Sequence, residues 1–388
     1  MENNERKIKI AYLSHTQLSD VDISYLHTAQ KTMDITYYVE VSPRYLKGAA
    51  FNLSECYPHS GVFGASIYPQ LDRFNEVIDA MKFRVINTNG KRWLIRALIT
   101  YFKLFRELKS ENYDVIHITW PLNFYELILY FFRKKIVLTV HDPLPHSSDF
   151  TLVSKIRRYM AFRFLERFII LNKNQKESFI EYYHLRNKKV FVSSLSCYSY
   201  LPQITSSQQR VHGKSILFFG KITAYKGLEY LFPAFEIVHK KHTDVTLIVA
   251  GNGEYYFDIA QYKEKNYFKI INRYIPDNEL SDLIRDTEFS ICPYKDATQS
   301  GVAMSAFAFH KPVVATNVGG LPEMLGHGRY GVLVPPCDVD ALANAINRLL
   351  DDPEDLKRLS SNIERDYSYG ELSWQHICEQ HQMIYLSI

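Results

Sequence analysis

The sequence predicts an α/β protein built from two Rossmann-like, doubly wound halves. Three observations predict it. Short, nearly continuous apolar runs recur along the chain, the pattern of parallel strands covered on both faces. Helical spacing alternates with those runs. At 388 residues the chain exceeds what one hydrophobic core ordinarily serves. In the first half the strand-like runs fall at 9–13, 35–41, 83–87, 113–118, 136–140, 167–171 and 190–192. In the second half they fall at 215–219, 245–250, 269–272, 289–292 and 313–316. Helices are expected at 228–239, at 277–285 with Asp277 as N-cap, and at 302–310. Asp338 or Asp340 caps another, with Leu342, Ile346 and Leu349 on one face. The polar stretch 203–214 reads as a linker. The domains are therefore expected at 1–205 and 212–370, and a last helix within 371–388, carrying Trp374, Ile377, Met383 and Tyr385, is expected to cross back to the first.

Composition bounds the class. The chain is 46% hydrophobic and 23% charged, as soluble globular proteins are. Its five cysteines (Cys56, Cys197, Cys292, Cys337, Cys378) lack metal-ligand or C-x-x-C spacing, so reduced thiols in a cytoplasmic protein and no metal site are expected. No apolar signal segment precedes the first strand. The most apolar run, Phe124–Phe132, has about half the roughly 20 residues of a spanning helix. Charge is uneven: residues 1–200 hold 28 Lys and Arg against 19 Asp and Glu (+9), and residues 201–388 hold 18 against 23 (−5). The basic half suggests an anionic partner. The bias is modest and no nucleic-acid motif accompanies it, so nucleic acid is not expected.

In open α/β sheets, ligands bind outside the carboxyl ends of the strands. Three loops of the second half end there. The first is Gly220-Lys221-Ile222-Thr223-Ala224-Tyr225-Lys226-Gly227: a strand ends in glycine, two lysines follow, and a second glycine opens a helix. Backbone N–H groups at a helix start attract phosphate, and two ammonium groups neutralise a diphosphate; a plain surface turn with solvated lysines is the competing reading. The second, Gly251-Asn252-Gly253, lacks the third glycine of a dinucleotide fingerprint and reads as a tight turn. The third, Thr298-Gln299-Ser300-Gly301, precedes a helix and offers hydroxyl, amide and N–H donors. The Gly319-Gly320 loop is expected to close the same crevice.

These residues resemble the retaining glycosyltransferases of family 4, which have the GT-B fold, two Rossmann-like domains facing a central cleft. "ILFFGKITAYKGLEYLFPAF" is similar to the family's phosphate-binding segment, and "KPVVATNVGGLPEML" and "GVLVPPCDVDALANAINRLLDD" to its last strands and helices. "DVIHITW", "VLTVHD" and "FIILNKNQKESF" match more weakly in the first half. The resemblance implies transfer of a sugar from a UDP- or GDP-sugar to a glycan or lipid-linked acceptor, with retention and without metal or cofactor, in polysaccharide or glycoconjugate synthesis. It implies that Lys221 and Lys226 stabilise the departing nucleoside diphosphate, with Gly220, Gly227, Gln299, Ser300, Gly301, Val302 and Ser305 completing the donor site, and that His141 orients the donor sugar. A capping or core role competes for His141, and His117 is a second candidate.

Two departures stand out. Aligned through Lys311-Pro312, the family's E-x7-E carboxylates fall on Ala297 and Ser305, with Asp296 one residue off. The glycine-rich acceptor loop is replaced by Ser14-His15-Thr16-Gln17. A non-catalytic partner protein of the same fold and a nucleotide-sugar epimerase therefore stand as alternatives; a phosphorylase needs a pyridoxal-binding lysine that the sequence does not identify. Finally, residues 91–109 read as a basic amphipathic helix, with Leu94, Leu98, Tyr101, Phe102, Phe105 and Leu108 at helical spacing among Lys91, Arg92, Arg96, Lys103, Arg106 and Lys109. Arg157, Arg158, Arg163 and Arg167 follow. A sheet-covering helix with a solvated basic face is the plain reading, and peripheral contact with an anionic membrane, at its inner face, is the functional one.

Overall fold

The structure is a computed structural model and describes residues 6–43, 46–48, 50–88, 93–141, 143, 152–171, 173–205, 213–297 and 300–388. Lys91, Arg92, Asp142, Thr298, Gln299 and linker residues 206–212 lie outside them. The chain forms two compact units, Met1–Leu195 with Trp374–Ile388, and Ser196–Ser373.

In chain order the first unit contains β1 (Lys9–His15), α1 (Ser19–Ala29), β2 (Asp34–Val41), the two-residue strands β3 (Lys47–Gly48) and β4 (Phe51–Asn52), β5 (Gly61–Gly64) and β6 (Phe83–Asn87). There follow α2 (Trp93–Glu111), β7 (Val115–Ile118), a 3-10 stretch Phe124–Phe132, β8 (Ile136–Val140), α3 (Leu152–Phe164), β9 (Arg167–Ile170), α4 (Lys176–Tyr182) and β10 (Lys189–Val192). The sheet runs β10-β9-β8-β7-β1-β2-β6-β5, parallel except for the antiparallel edge strand β5. The central strands are apolar because both faces are covered: Ile10, Leu13, Val39, Val85, Ile116 and Leu138 are all fully buried.

The second unit contains β11 (Lys214–Phe219), α5 (Leu228–His239), β12 (Val245–Gly251), α6 (Ala260–Lys263), β13 (Phe268–Asn272), α7 (Asp277–Asp286), β14 (Ser290–Cys292), α8 (Gly301–Phe307), β15 (Val313–Thr316), α9 (Leu321–Met324), β16 (Gly331–Val334), α10 (Val339–Asp351) and α11 (Pro353–Glu364). Its six-stranded sheet, β13-β12-β11-β14-β15-β16, is parallel throughout. Asp338, rather than Asp340, caps α10 by accepting from the Ala341 N–H at 2.9 Å. Asp277 is not the N-cap expected: Pro276, extended and with no N–H of its own, holds that place and Asp277 is the first helical residue. Helix α8 stops at Phe307, short of the expected 310, because His310 adopts φ +55° and the Lys311 N–H turns back to the Ala306 carbonyl.

The chain returns to the first unit as α12 (Trp374–Leu386), which packs on α1. Here His117 is explained. The Tyr385 hydroxyl meets its Nδ1 at 2.5 Å and the Thr139 Oγ1 its Nε2 at 2.7 Å. Burial, with the nearby rings of His381 and His141, holds its pKa well below the ordinary range. His117 is a neutral core histidine that fastens α12.

The 91–109 reading needs a correction. Of its six apolar positions, only Tyr101 and Leu108 are buried; with Ala97 and Leu104 they form the inner face of α2. Leu94, Leu98 and Phe102 are about half exposed and so are Ile95 and Ile99. None of the described helices is long and apolar enough to cross a membrane.

Candidate functional site

The second unit's strands deliver their loops to one end of the sheet. Gly220 follows β11, and its N–H donates to the Ala250 carbonyl at 3.0 Å, while the Ile222 N–H donates to Asn252 O at 3.0 Å. A Cβ on Gly251 would stand 1.8 Å from the Gly220 carbonyl oxygen. The Gly251-Asn252-Gly253 segment is glycine-bearing because two backbones touch there; it is not the tight turn expected, since Gly251 ends β12 and Gly253 bridges Ile222 in parallel.

The lysine loop is braced from the next strand. Gly227 lies in the left-handed region at φ +69°, and a Cβ there would fall 1.9 Å from Pro293 O. The Lys295 N–H donates to Tyr225 O at 2.7 Å. Lys295 Nζ binds Glu229 Oε1 at 2.7 Å, and the Tyr256 hydroxyl donates to the other Glu229 oxygen. Lys226 then projects over Tyr294, with Nζ 3.6 Å from the ring centroid. Burial pushes the Lys226 pKa down from its ordinary value. The Tyr294 hydroxyl lies 3.4 Å from Ser300 Oγ. Ser300 does not cap α8 with its side chain, so the first N–H groups of the helix keep no cap from it. A Cβ on Gly220 would lie 3.7 Å from Val302 Cγ2, so α8 abuts the first loop. The Gly320 N–H donates to Ala297 O at 3.3 Å, tying the Gly319-Gly320 loop to the segment before α8.

Beside these loops is a cavity of 340 Å³ lined by Phe219, Gly220, Lys221, Ala250, Gly251, Asn252, Tyr274, Ile275 and Leu280. Its walls are mainly backbone and apolar side chains, suited to a flat ring with a charged group at the Lys221 end. Charge pairing separates the cations at this end of the sheet. Arg273 is held by both Glu279 oxygens at 2.7 and 2.8 Å, and Lys295 by Glu229. Among the described residues no carboxylate pairs with Lys221 or Lys226. An arriving anion therefore meets two cations not already neutralised.

Structure thus brings Gly220, Lys221, Lys226, Gly227, Ser300, Gly301 and Val302 to one end of one sheet. Gln299 is outside the described residues. Ser305 is buried and its hydroxyl donates to Gly301 O at 2.8 Å, inside its own helix. Asp296 is exposed. His141 follows β8 in the first unit, half-buried. Among the described residues no cluster of His, Cys, Asp and Glu suits a metal ion. Sequence reasoning missed Tyr294, Tyr256, Tyr274, Ile275 and Leu280. Tyr294, Tyr274 and Ile275 had a signal, since each stands just past a strand's carboxyl end; Tyr256 and Leu280 meet the site only through tertiary packing.

Comparison with known proteins places this geometry. Residues 213–352 match the family model described as glycosyl transferases group 1, and residues 62–194 match that of glycosyltransferase family 4. An uncharacterized glycosyltransferase of Methanocaldococcus jannaschii is 29% identical over 175 residues, 44% of each chain. The chain spans under half the length of several curated relatives it matches. Among solved structures, Anabaena HepE in complex with UDP superposes with TM-score 0.65 at 16% identity, over 98% of this chain and 100% of that one. A UDP-N-acetylglucosamine 2-epimerase gives TM-score 0.64 at 15% identity, over 98% and 97%. Such identities show the fold, which both share.

Proposed function

The chain belongs to the group 1, family 4 type of glycosyltransferases, and from that premise we propose that it moves a sugar from a UDP- or GDP-sugar to a glycan or lipid-linked acceptor with retention at the anomeric carbon. The observation that carries the reading is the pair Lys221 and Lys226, without carboxylate partners among the described residues: Lys221 lines an apolar cavity at the carboxyl ends of β11 and β12, and Lys226, in the same loop as Lys221, sits over Tyr294. The nucleobase lies against Ile275 and Leu280, and the diphosphate reaches the two lysines. As the sugar–phosphate bond breaks, negative charge grows on the leaving diphosphate. Lys226, partly desolvated and steadied on Tyr294, stabilises that charge without reorganising water. Two ammonium groups do here what a divalent ion does elsewhere. That a neighbour of the same fold holds UDP supports uridine as the base. For His141 we propose the role of orienting the donor sugar.

The experiment is nucleotide release from a panel of UDP- and GDP-sugars by the full chain with EDTA present, with the anomeric configuration of any product read by NMR. Release from one donor with retention supports the proposal; release of none, or release that stops with EDTA, goes against it. One observation favours a second reading, a non-catalytic partner protein: neither Ala297 nor Ser305 offers a carboxylate, and the Ser305 hydroxyl is spent on its own helix. That protein would release nothing. An epimerase would invert the sugar while it stays on its nucleotide.

A further inference from the structure

We infer that the outer face of α2 in the first unit docks on an anionic lipid bilayer. The helix has two apolar faces. Ala97, Tyr101, Leu104 and Leu108 are buried against the sheet. Leu94, Ile95, Leu98, Ile99 and Phe102, in its first three turns, are each about half exposed on the outside. Single exposed apolar residues are ordinary, but five on adjoining turns of one helix make a patch. The patch continues beyond the helix: Phe105 touches Phe131 with ring centroids 5.8 Å apart, and Phe131 is 80% exposed.

Charge selects the occupant. Lys103, Arg106 and Lys109 follow the apolar turns on the exposed side of the helix, and no described carboxylate pairs with them. The acidic residues of α2 are already engaged elsewhere: Glu107 accepts from Arg84 Nε and Nη2 at 3.0 Å each, and Glu111 from Lys9 Nζ at 2.7 Å. An open groove of 720 Å³ puts rings and cations side by side, lined by Phe102, Phe105, Arg106, Glu107, Lys109 and Ser110. A surface with aliphatic depth and unpaired cations at its rim matches the layered chemistry of a bilayer with anionic headgroups. A second copy of the same face would bring like charges together.

The test uses the purified full chain and vesicles of phosphatidylcholine alone or with 30% phosphatidylglycerol, separated by flotation at low and high salt. The protein is expected to float with the anionic vesicles at low salt and to be released by salt. Each basic residue near such a surface contributes roughly fivefold to partitioning, so Arg106→Glu with Lys109→Glu is expected to lower it at least about 30-fold. Leu98→Ser with Phe102→Ser is expected to abolish flotation. Thermal melts and nucleotide release from the donor panel verify folding independently. Protein that stays at the bottom with anionic vesicles at low salt overturns the inference. So does flotation equal with neutral vesicles, or flotation unchanged in both variants. A dimer in light scattering that Leu98→Ser with Phe102→Ser dissolves, without flotation of the parent, overturns it in favour of self-association. The donor assay stands or falls separately from each of these outcomes.

Discussion

Replacing Lys226 by Met keeps most of the apolar stem and removes the charge. Two unit charges about 4 Å apart interact by about 1 kcal/mol in bulk water and about 4 kcal/mol at an effective dielectric constant near 20. Lys226 belongs nearer the second value: burial lowers its pKa, and Nζ sits 3.6 Å from the Tyr294 ring centroid. Loss of one preorganised group aimed at developing charge typically costs about 3–4 kcal/mol. At about 1.4 kcal/mol per tenfold, kcat for nucleotide release should fall roughly 100- to 1000-fold. Stability should move little. The cation–π contact is worth about 0.5–2 kcal/mol, and its loss is offset by relief of the desolvated charge. The assay is steady-state kinetics on the best donor beside urea unfolding. The signature is a large fall in kcat with unfolding free energy within about 1 kcal/mol of the parent. A variant that retains kcat within threefold would refute the role given to Lys226, and one that loses activity and stability together would make the residue structural.

Other outcomes follow from the same geometry. Gly227→Ala places a Cβ against Pro293 O in a left-handed conformation, so it should lose at least about 2 kcal/mol in urea unfolding; an unchanged midpoint would contradict the packing. Tyr385→Phe leaves the buried His117 Nδ1 without its partner, for a loss of about 1–3 kcal/mol on thermal unfolding. Asp22 accepts from the Tyr12 and Tyr37 hydroxyls at 3.0 and 2.9 Å, and burial pushes its carboxyl up to about 7. Its folded pKa lies above the unfolded value of 3.8, so the folded state binds the extra proton and stability falls as pH rises between the two, by about 1.4 kcal/mol per pH unit. Asp22→Asn should remove that slope. Comparing parent with variant at pH 5 and pH 7 isolates Asp22 from the buried histidines His15 and His381, held down to about 3 and about 4, whose effect on stability has the opposite sign. Parallel profiles for the two proteins would sink the assignment.

Much of the fold is legible in the chain where burial makes a run predominantly apolar or gives it helical apolar spacing. Phe83–Asn87, Ile136–Val140, Val313–Thr316 and Leu228–His239 are read to the residue. Legibility fails where the deciding partner is distant. The strand Gly61–Gly64 is short and glycine-bounded, and becomes a strand only by pairing antiparallel with β6. Helix α2 is apolar around more than half its circumference, so periodicity cannot say which arc the sheet takes; Ala97 and Leu104 go in while Leu94 and Leu98 stay out. At the candidate site the two lysines and their glycines are local signals. The brace around them is not: Tyr256 follows β12, Glu229 belongs to α5, and Pro293 and Lys295 follow β14. His141 and the lysines lie in different units, and sequence spacing carries no geometry between them.

The central claim is that the second unit holds a nucleoside diphosphate on Lys221 and Lys226. Isothermal titration of UDP and GDP into the full chain, with EDTA present, tests it most directly. Saturable binding of one of them, weakened at least tenfold by Lys226→Met and by raised salt, is the predicted result. No heat from either nucleotide, or binding that Lys226→Met leaves unchanged, would contradict it.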